Sequence, residues 1–446
     1  MEQGFSPSGL RRLWDLETRK GKDLLPLFPV VEKEQAIVRD LRAQLREAQS
    51  GKLARPIPLS VEQLEASLHG AREAAENTLV GALDGTSISL LGMLENGAFP
   101  WGIAQNGHAN GRSIFRYGQS AEVYFADKHL QRVIRAATES RSVSRHQSTS
   151  GLLRTLDNRL PKTVVRFDVS AFYESVDHDV LRAQLGRTAM NATPRRLIDG
   201  FLDESAALLG VPVGLPAGIG MSAALGDLLL SVVDTRFRSL PNILYYARYV
   251  DDVVMVLADG IRGSLSDDAI RDMIASELGA IRLRSHPKKE AILHPSRGAG
   301  ATQFNFLGYE ISMKDKLSVD ITHERGQRLR KRIDRTFAAW SNANSSNHGK
   351  RRLLLDRCRM LTGNVRLTNN KRNAMAGVYF TNPLITSLKK YRGLDNYLAH
   401  KVSQASLPAE LMKVLESLSF VDGFQHRTVY VFEPRHLSRI KGVWNG

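Results

Sequence analysis

The chain has 446 residues, 42% of them hydrophobic, and a single cysteine, Cys358, so it can bury a large core in two or three domains but can build neither a disulfide framework nor a cysteine-rich zinc module. Its formal net charge is +16, and residues 321–446 hold 23 Lys and Arg against 8 Asp and Glu, which points that segment toward a polyanion such as a phosphate backbone. A polar start, Met1 to Lys22, and the lack of any apolar run near the ~18 residues of a membrane span give the expectation of a soluble cytoplasmic protein without membrane contact.

In chain order, Val31 to Gln49 and Val61 to Leu83 carry helical periodicity and are separated by a loop, Ser50 to Leu59, with Pro56 and Pro58. Gly85 to Asn110, richer in glycine and aromatics, reads as irregular, and from about Arg112 the pattern is mixed α/β through Asp320. There the β-branched run Thr163 to Phe167 predicts a strand ending at Asp168, and Asp177 suits the N-cap of a helix carrying Val180 and Leu181. Residues 214–234, GLPAGIGMSAALGDLLLSVVD, predict a tight turn followed by a buried helix from Ser222, with Leu225, Leu228, Leu229 and Val232 inward. Ile243 to Tyr246 and Val253 to Leu257 read as strands flanking Asp251 and Asp252, which places both carboxylates near a hairpin tip. Downstream, SHPKKEAILHP supplies lysines before a short strand, and FNFLGYEIS reads as a strand interrupted by Gly308. Beyond Thr322 the chain turns helical and basic, with Ser341 to Gly349 as a loop. Arg328, Arg332 and Arg335 recur at spacings of four and three, so one helix face could follow a phosphate backbone.

Two adjacent aspartates alone most often mark a solvated turn, and a glycine-rich turn into a helix is a weak phosphate signal. Asp168 changes the reading. If its strand neighbours that of Asp252, three carboxylates converge, and such a group cannot stay ionised without a cation. Hard oxygen donors of this charge suit Mg²⁺, and a pair of such ions would stabilise the attacking and leaving oxygens of a phosphoryl displacement.

An Asp-x-x-x-aromatic-aromatic block, a Gly-Leu-Pro-x-Gly turn, a Tyr-x-Asp-Asp hairpin, a lysine turn and a Phe-Leu-Gly-Tyr strand, in this order over roughly residues 165–310, resemble palm motifs A to E of reverse transcriptases. The resemblance implies an α+β right-handed polymerase: an N-terminal helical extension (1–100), fingers and palm (101–320), and a helical basic thumb and C-terminal region (321–446). It implies catalysis by Asp168, Asp251 and Asp252, two Mg²⁺ ions (or Mn²⁺) held by Asp168, Val169, Asp251 and Asp252, and dNTP binding by Tyr173, Ala217, Gly218 and Lys289. Tyr173 matches the aromatic gate against a 2′-hydroxyl, Lys289 the motif D lysine, and Leu307 with Gly308 the primer grip. Core packing is the alternative for Tyr173, a surface role for Lys289 and a β-bulge for Gly308. Many members have glutamine where Ala217 stands here, so one side-chain contact to the nucleotide is missing.

The segment 357–385 and the GIGMSAALGDLLL form of motif B are similar to bacterial defence-associated and abortive-infection reverse transcriptases, above all to the second polymerase subunit of the type 3 systems. That likeness implies RNA and DNA as partners, a noncoding RNA, a second reverse transcriptase subunit and an oligomer. Template-independent, protein-templated or protein-primed DNA synthesis by the same site stays open beside RNA-directed synthesis. Two further alternatives are an RNA-synthesising polymerase, against which Tyr173 stands, and a catalytically silent RNA-binding scaffold, against which the three intact aspartates stand.

Overall fold

A computed structural model of the chain describes residues 4–50, 59–97, 99–109, 111–138, 144–158, 160–259, 265–295, 302–314, 316–341, 348–367 and 374–444. Most of the expected loops at Ser50 to Leu59 and Ser341 to Gly349, and the centre of the 357–385 segment, lie outside the described residues. The chain divides into two compact units, the first Met1–Arg141, Ser170–Asp234 and Glu277–Arg284, the second Ser142–Val169, Thr235–Ser276 and Ser285–Gly446. No described helix is long and apolar enough to cross a membrane.

The first unit opens with helices Pro7–Arg19, Pro29–Gln49 and Val61–Glu95. Ser60 and Gln63 cap the third with a reciprocal capping box, and Leu79 and Leu83 join Leu10, Trp14, Phe28 and Phe125 in a core. The expected irregular stretch from Gly85 is helical as far as Glu95. Leu90 and Leu94 are buried there, and the Ser87 hydroxyl donates to the Phe5 carbonyl at 2.6 Å, so burial outweighs the cost of Gly85 and Gly92 in the helix. A hairpin follows, β1 Ala104–Ala109 with β2 Arg112–Arg116. Beside it in sequence, the buried Trp101 donates its indole N–H to the Leu197 carbonyl at 3.2 Å, and Glu204 accepts the backbone N–H groups of Trp101 and Ile103.

The second unit is built on an antiparallel sheet of order β4-β5-β3-β6, from β3 Lys162–Asp168, β4 Ile243–Tyr249, β5 Asp252–Ala258 and β6 Ala291–Leu293. Strand β3 alternates side chains between faces. Val165 and Phe167 are buried on one face, with the Phe167 ring 5.8 Å from that of Phe237. On the other face Val164, joined by Val254 and Val256, enters a large core with Phe306, Tyr309, Ile311, Phe337 and Trp340. Three of these last residues come from a second sheet, β7 Thr302–Phe306, β8 Tyr309–Met313 and β9 Leu317–Ile321.

The basic C-terminal region contains helices His323–Ser341, His348–Thr362 and Lys389–Gln404, as its periodicity predicts, but it is not all-helical. Strands β10 Asn364–Leu367, β11 Ala374–Gly377 and β12 Val429–Val431 form a third sheet, with β10 central and parallel to β12. The buried Asn364 ties this sheet together, donating to the Gly423 carbonyl and accepting from the Tyr379 N–H.

Candidate active site

The register β3 against β5 sets Asp168 directly opposite Asp252, and β4 against β5 sets Tyr249 opposite Asp252. Val250 and Asp251 are therefore the two residues of a tight hairpin turn. Val250 sits at φ +61°, a conformation a β-branched residue rarely adopts, so the turn holds local backbone strain. The Val169 N–H donates to the Asp251 carbonyl at 3.1 Å, which fixes the turn to the residue after Asp168, and the His286 N–H donates to the Asp168 carbonyl at 2.7 Å. The second unit thus brings Asp168, Val169, Asp251 and Asp252 to one end of adjacent strands.

Lys289 and Arg166 each meet one of these carboxylates. Lys289, at the end of the short 3-10 turn Pro287–Lys289, places Nζ 2.9 Å from Asp168 Oδ2, and Arg166 Nε donates to Asp252 Oδ1 at 3.3 Å. Burial raises the Asp252 carboxyl above its ordinary range, Arg166 pulls it back, and Asp168 and Asp251 push it up again. Among the described residues no three His, Cys, Asp or Glu side chains form a ready-made metal cage. The donor set nevertheless fits a hard cation, because the backbones of Asp168, Asp251 and Asp252 share one strand end and carboxylate oxygens are hard donors.

Arg166 was not among the expected site residues. Its signal was present: it is the one charge between Thr163 and Phe167, and a residue two before Asp168 shares its face of a strand.

Leu307 and Gly308 lie in the same unit as the carboxylates. Phe306 pairs with Tyr309, so FNFLGYEIS is two strands joined by a two-residue turn, with φ +47° at Leu307 and +77° at Gly308. Positive φ at both positions is the hairpin-compatible twist, and it explains the glycine better than an interruption of one strand. Arg145 Nε donates to the Leu307 carbonyl at 2.7 Å, and a Cβ on residue 308 would fall on the Arg325 guanidinium.

Tyr173, Ala217 and Gly218 belong to the first unit. The Leu215 N–H donates to the Tyr173 carbonyl at 2.7 Å and the Gly214 N–H to the Val176 carbonyl at 2.8 Å, so the glycine-rich turn lies alongside residues 173–176. Asp177 then caps the helix His178–Gly186 as its sequence predicts, accepting from the N–H groups of Asp179 and Val180. The Ala217 carbonyl accepts the Phe115 N–H at 2.8 Å. Gly218, at φ +97°, leaves room for β2: a Cβ there would stand 2.8 Å from Ile114 Cγ2. The following helix runs Gly220–Arg238, starting two residues before Ser222, and Gly226 on it lets the Phe172 ring approach to where its own Cβ would be 2.9 Å away.

Arg328, Arg332 and Arg335 are all exposed on the His323–Ser341 helix. Two of them also serve the C-terminus: the Arg332 guanidinium lies 5.5 Å from the Trp444 ring centroid, and Arg335 donates to the Trp444 carbonyl at 2.7 Å.

No curated protein sequence matches this chain. Among solved structures it is similar to apo telomerase from Candida tropicalis (11% identity, 92% of this chain and 78% of that one, TM-score 0.39) and to the same enzyme truncated from its C-terminal domain (12%, 59% and 70%, TM-score 0.35). It is also similar to telomerase from Candida albicans in complex with the TWJ fragment of telomeric RNA (14%, 71% and 55%, TM-score 0.32). Residues 122–311, which hold Asp168, Asp251, Asp252, Lys289 and the Leu307–Gly308 turn, match the family model for reverse transcriptase (RNA-dependent DNA polymerase). The chain carries a reverse transcriptase domain, and that domain indicates an RNA-directed DNA polymerase, a nucleotidyltransferase.

Proposed function

We propose that the chain extends a 3′-hydroxyl with deoxynucleotides, using an RNA template, at the strand end where Asp168 faces Asp252 and Asp251 forms the turn. The observation that carries this reading is the register itself, which sets Asp168 opposite Asp252 and leaves Asp251 in the turn beside them. Asp168, Asp251 and Asp252, with the Val169 carbonyl, would hold Mg²⁺ or Mn²⁺, and the ions would offset the negative charge of the triphosphate.

The protein's own groups divide the remaining work. Lys289, paired with Asp168 and with its side chain 46% exposed, is free to turn toward a departing pyrophosphate and to hold or give a proton there. Arg166 orients Asp252 and opposes the rise of its carboxyl that burial causes. Tyr173 selects the sugar, and the basic His323–Ser341 helix holds the nucleic acid through Arg328, Arg332 and Arg335. The missing glutamine at Ala217 favours, as a second reading, DNA synthesis that leans less on a template, including protein-templated or protein-primed synthesis. We further propose a role in bacterial antiviral defence beside a second reverse transcriptase subunit and a noncoding RNA, on the likeness of 357–385 and of GIGMSAALGDLLL.

Sequencing the DNA made by the purified protein with Mg²⁺ and dNTPs, on primed RNA, on primed DNA and with no added strand, tests this. Product complementary to the RNA template is the expected result. Products of one composition regardless of template would replace the first reading by the second, and no product from a folded protein would overturn both.

A further inference from the structure

The second unit contains a pocket of about 380 Å³ whose lining includes neither the three aspartates nor Lys289, while Arg328 and Arg332, proposed above as nucleic-acid contacts, both line it. One side is the His323–Ser341 helix, where Arg325, Arg328 and Arg332 occupy successive turns of one face, and Lys441 adds a fourth cation. None of the described residues that line it is Asp or Glu. The rest of the wall is largely apolar and aromatic, with Met360, Leu367, Tyr391 and Trp444.

The charges here meet aromatic faces and an amide, not carboxylates. Arg325 donates to the amide oxygen of Asn382, a neutral partner, and burial followed by the nearby Arg145 and Arg328 brings its proton affinity down to about 10. A half-buried arginine beside like charges, with no carboxylate among the described lining residues, carries a desolvation cost that a bound anion offsets. Guanidinium groups set along one side match the oxygens of a phosphate. The apolar wall requires that the same ligand also carry a flat or greasy body, and the volume lies at the lower end of the range for small-molecule sites.

We propose that this pocket binds a nucleoside phosphate, with the phosphate on Arg325, Arg328 and Arg332 and the base against the apolar wall. Its source is either a free nucleotide or the phosphorylated 5′ end of a strand. The choice of a nucleoside as the greasy body rests on the polymerase reading above; the phosphate and the pocket do not.

The test is calorimetric titration of the full chain in EDTA with dAMP, deoxyadenosine, inorganic phosphate, and one oligonucleotide with and without a 5′-phosphate. Expected is dAMP binding at least tenfold tighter than deoxyadenosine or phosphate. It should weaken at least tenfold in Arg328→Ala/Arg332→Ala and again in Ala376→Trp, which fills the pocket and leaves every cation in place. Leu367→Phe replaces Ala376→Trp if melting shows that variant misfolded. A tenfold preference for the 5′-phosphorylated strand over its hydroxyl twin assigns the strand end, and its absence beside dAMP binding assigns the free nucleotide. Binding of no probe, phosphate binding equal to dAMP, or an unaltered Kd in the filled variant overturns the proposal. Nucleotide incorporation is measured separately with Mg²⁺, so failure here leaves the polymerase reading standing, and an inactive protein that still binds dAMP leaves this one standing.

Discussion

Adding one methyl group at Gly226 sets two opposed terms against each other. Gly226 lies inside the Gly220–Arg238 helix, where Ala is favoured over Gly by about 1 kcal/mol. Against that gain, the new Cβ would stand 2.9 Å from Phe172 Cε1 and Cζ, and Phe172 is 1% exposed, so the ring has no open space to enter. Overpacking of this kind costs about 1 to 3 kcal/mol, which leaves a net loss of about 0 to 2 kcal/mol for Gly226→Ala. For a unit of this size that is a fall in Tm of up to about 8 °C, at about 2 to 4 °C per kcal/mol. The functional consequence follows from sequence neighbourhood: the Phe172 and Tyr173 rings are 5.2 Å apart, so a displaced Phe172 carries the proposed sugar gate with it. Thermal melting and the ratio of dNTP to rNTP incorporation are the assays, with discrimination expected to fall severalfold. In a Phe172→Leu background the clash is gone, and the same substitution should become neutral or stabilising. A Gly226→Ala protein stabilised by the full helix term, with discrimination unchanged, would refute this reasoning.

Tyr173→Ala should raise ribonucleotide use relative to deoxynucleotide use, and an unmoved ratio in competition assays makes Tyr173 a packing residue. Lys289→Met should lower kcat about 10²-fold with a smaller change in KM, and it should also lower the melting temperature because the partner carboxylate of Asp168 is buried; changes of equal size in kcat and KM count against a role at the leaving group. Replacing Arg328, Arg332 and Arg335 together by Ala should weaken RNA and DNA binding across sequences and flatten log K against log salt, by up to about 0.7 to 0.9 units of slope per lost phosphate contact. Unaltered affinity and slope would leave that face as solvated surface.

The parts of this structure legible in the sequence are those set by local pattern. Strand β3 ends at Asp168 because a β-branched run gives out there, and Asp177 caps its helix because its carboxylate reaches two N–H groups within three residues. The convergence of Asp168 with Asp252 was legible only as a conditional, since register between strands more than eighty residues apart is a tertiary fact. Helix Val61–Glu95 outran its expected end because the burial of Leu90 and Leu94 is invisible to a glycine count. The third sheet was missed for a related reason: β10 pairs with β12 across a long separation, and strands of three or four residues leave almost no period to read. Arg166 had a readable signal, a charge in an apolar strand, but its partner Asp252 becomes evident only from the register.

The central claim is that the three aspartates carry nucleotidyl transfer, and Asp251→Asn tests it most directly, because the change removes one negative charge while keeping the shape of the hairpin turn. Incorporation of a labelled dNTP onto a primed RNA template is measured in Mg²⁺ beside the melting curve of the same preparation. The account predicts that incorporation falls to background with melting unchanged to within a few degrees. Incorporation at the wild-type rate by a folded Asp251→Asn protein would contradict it.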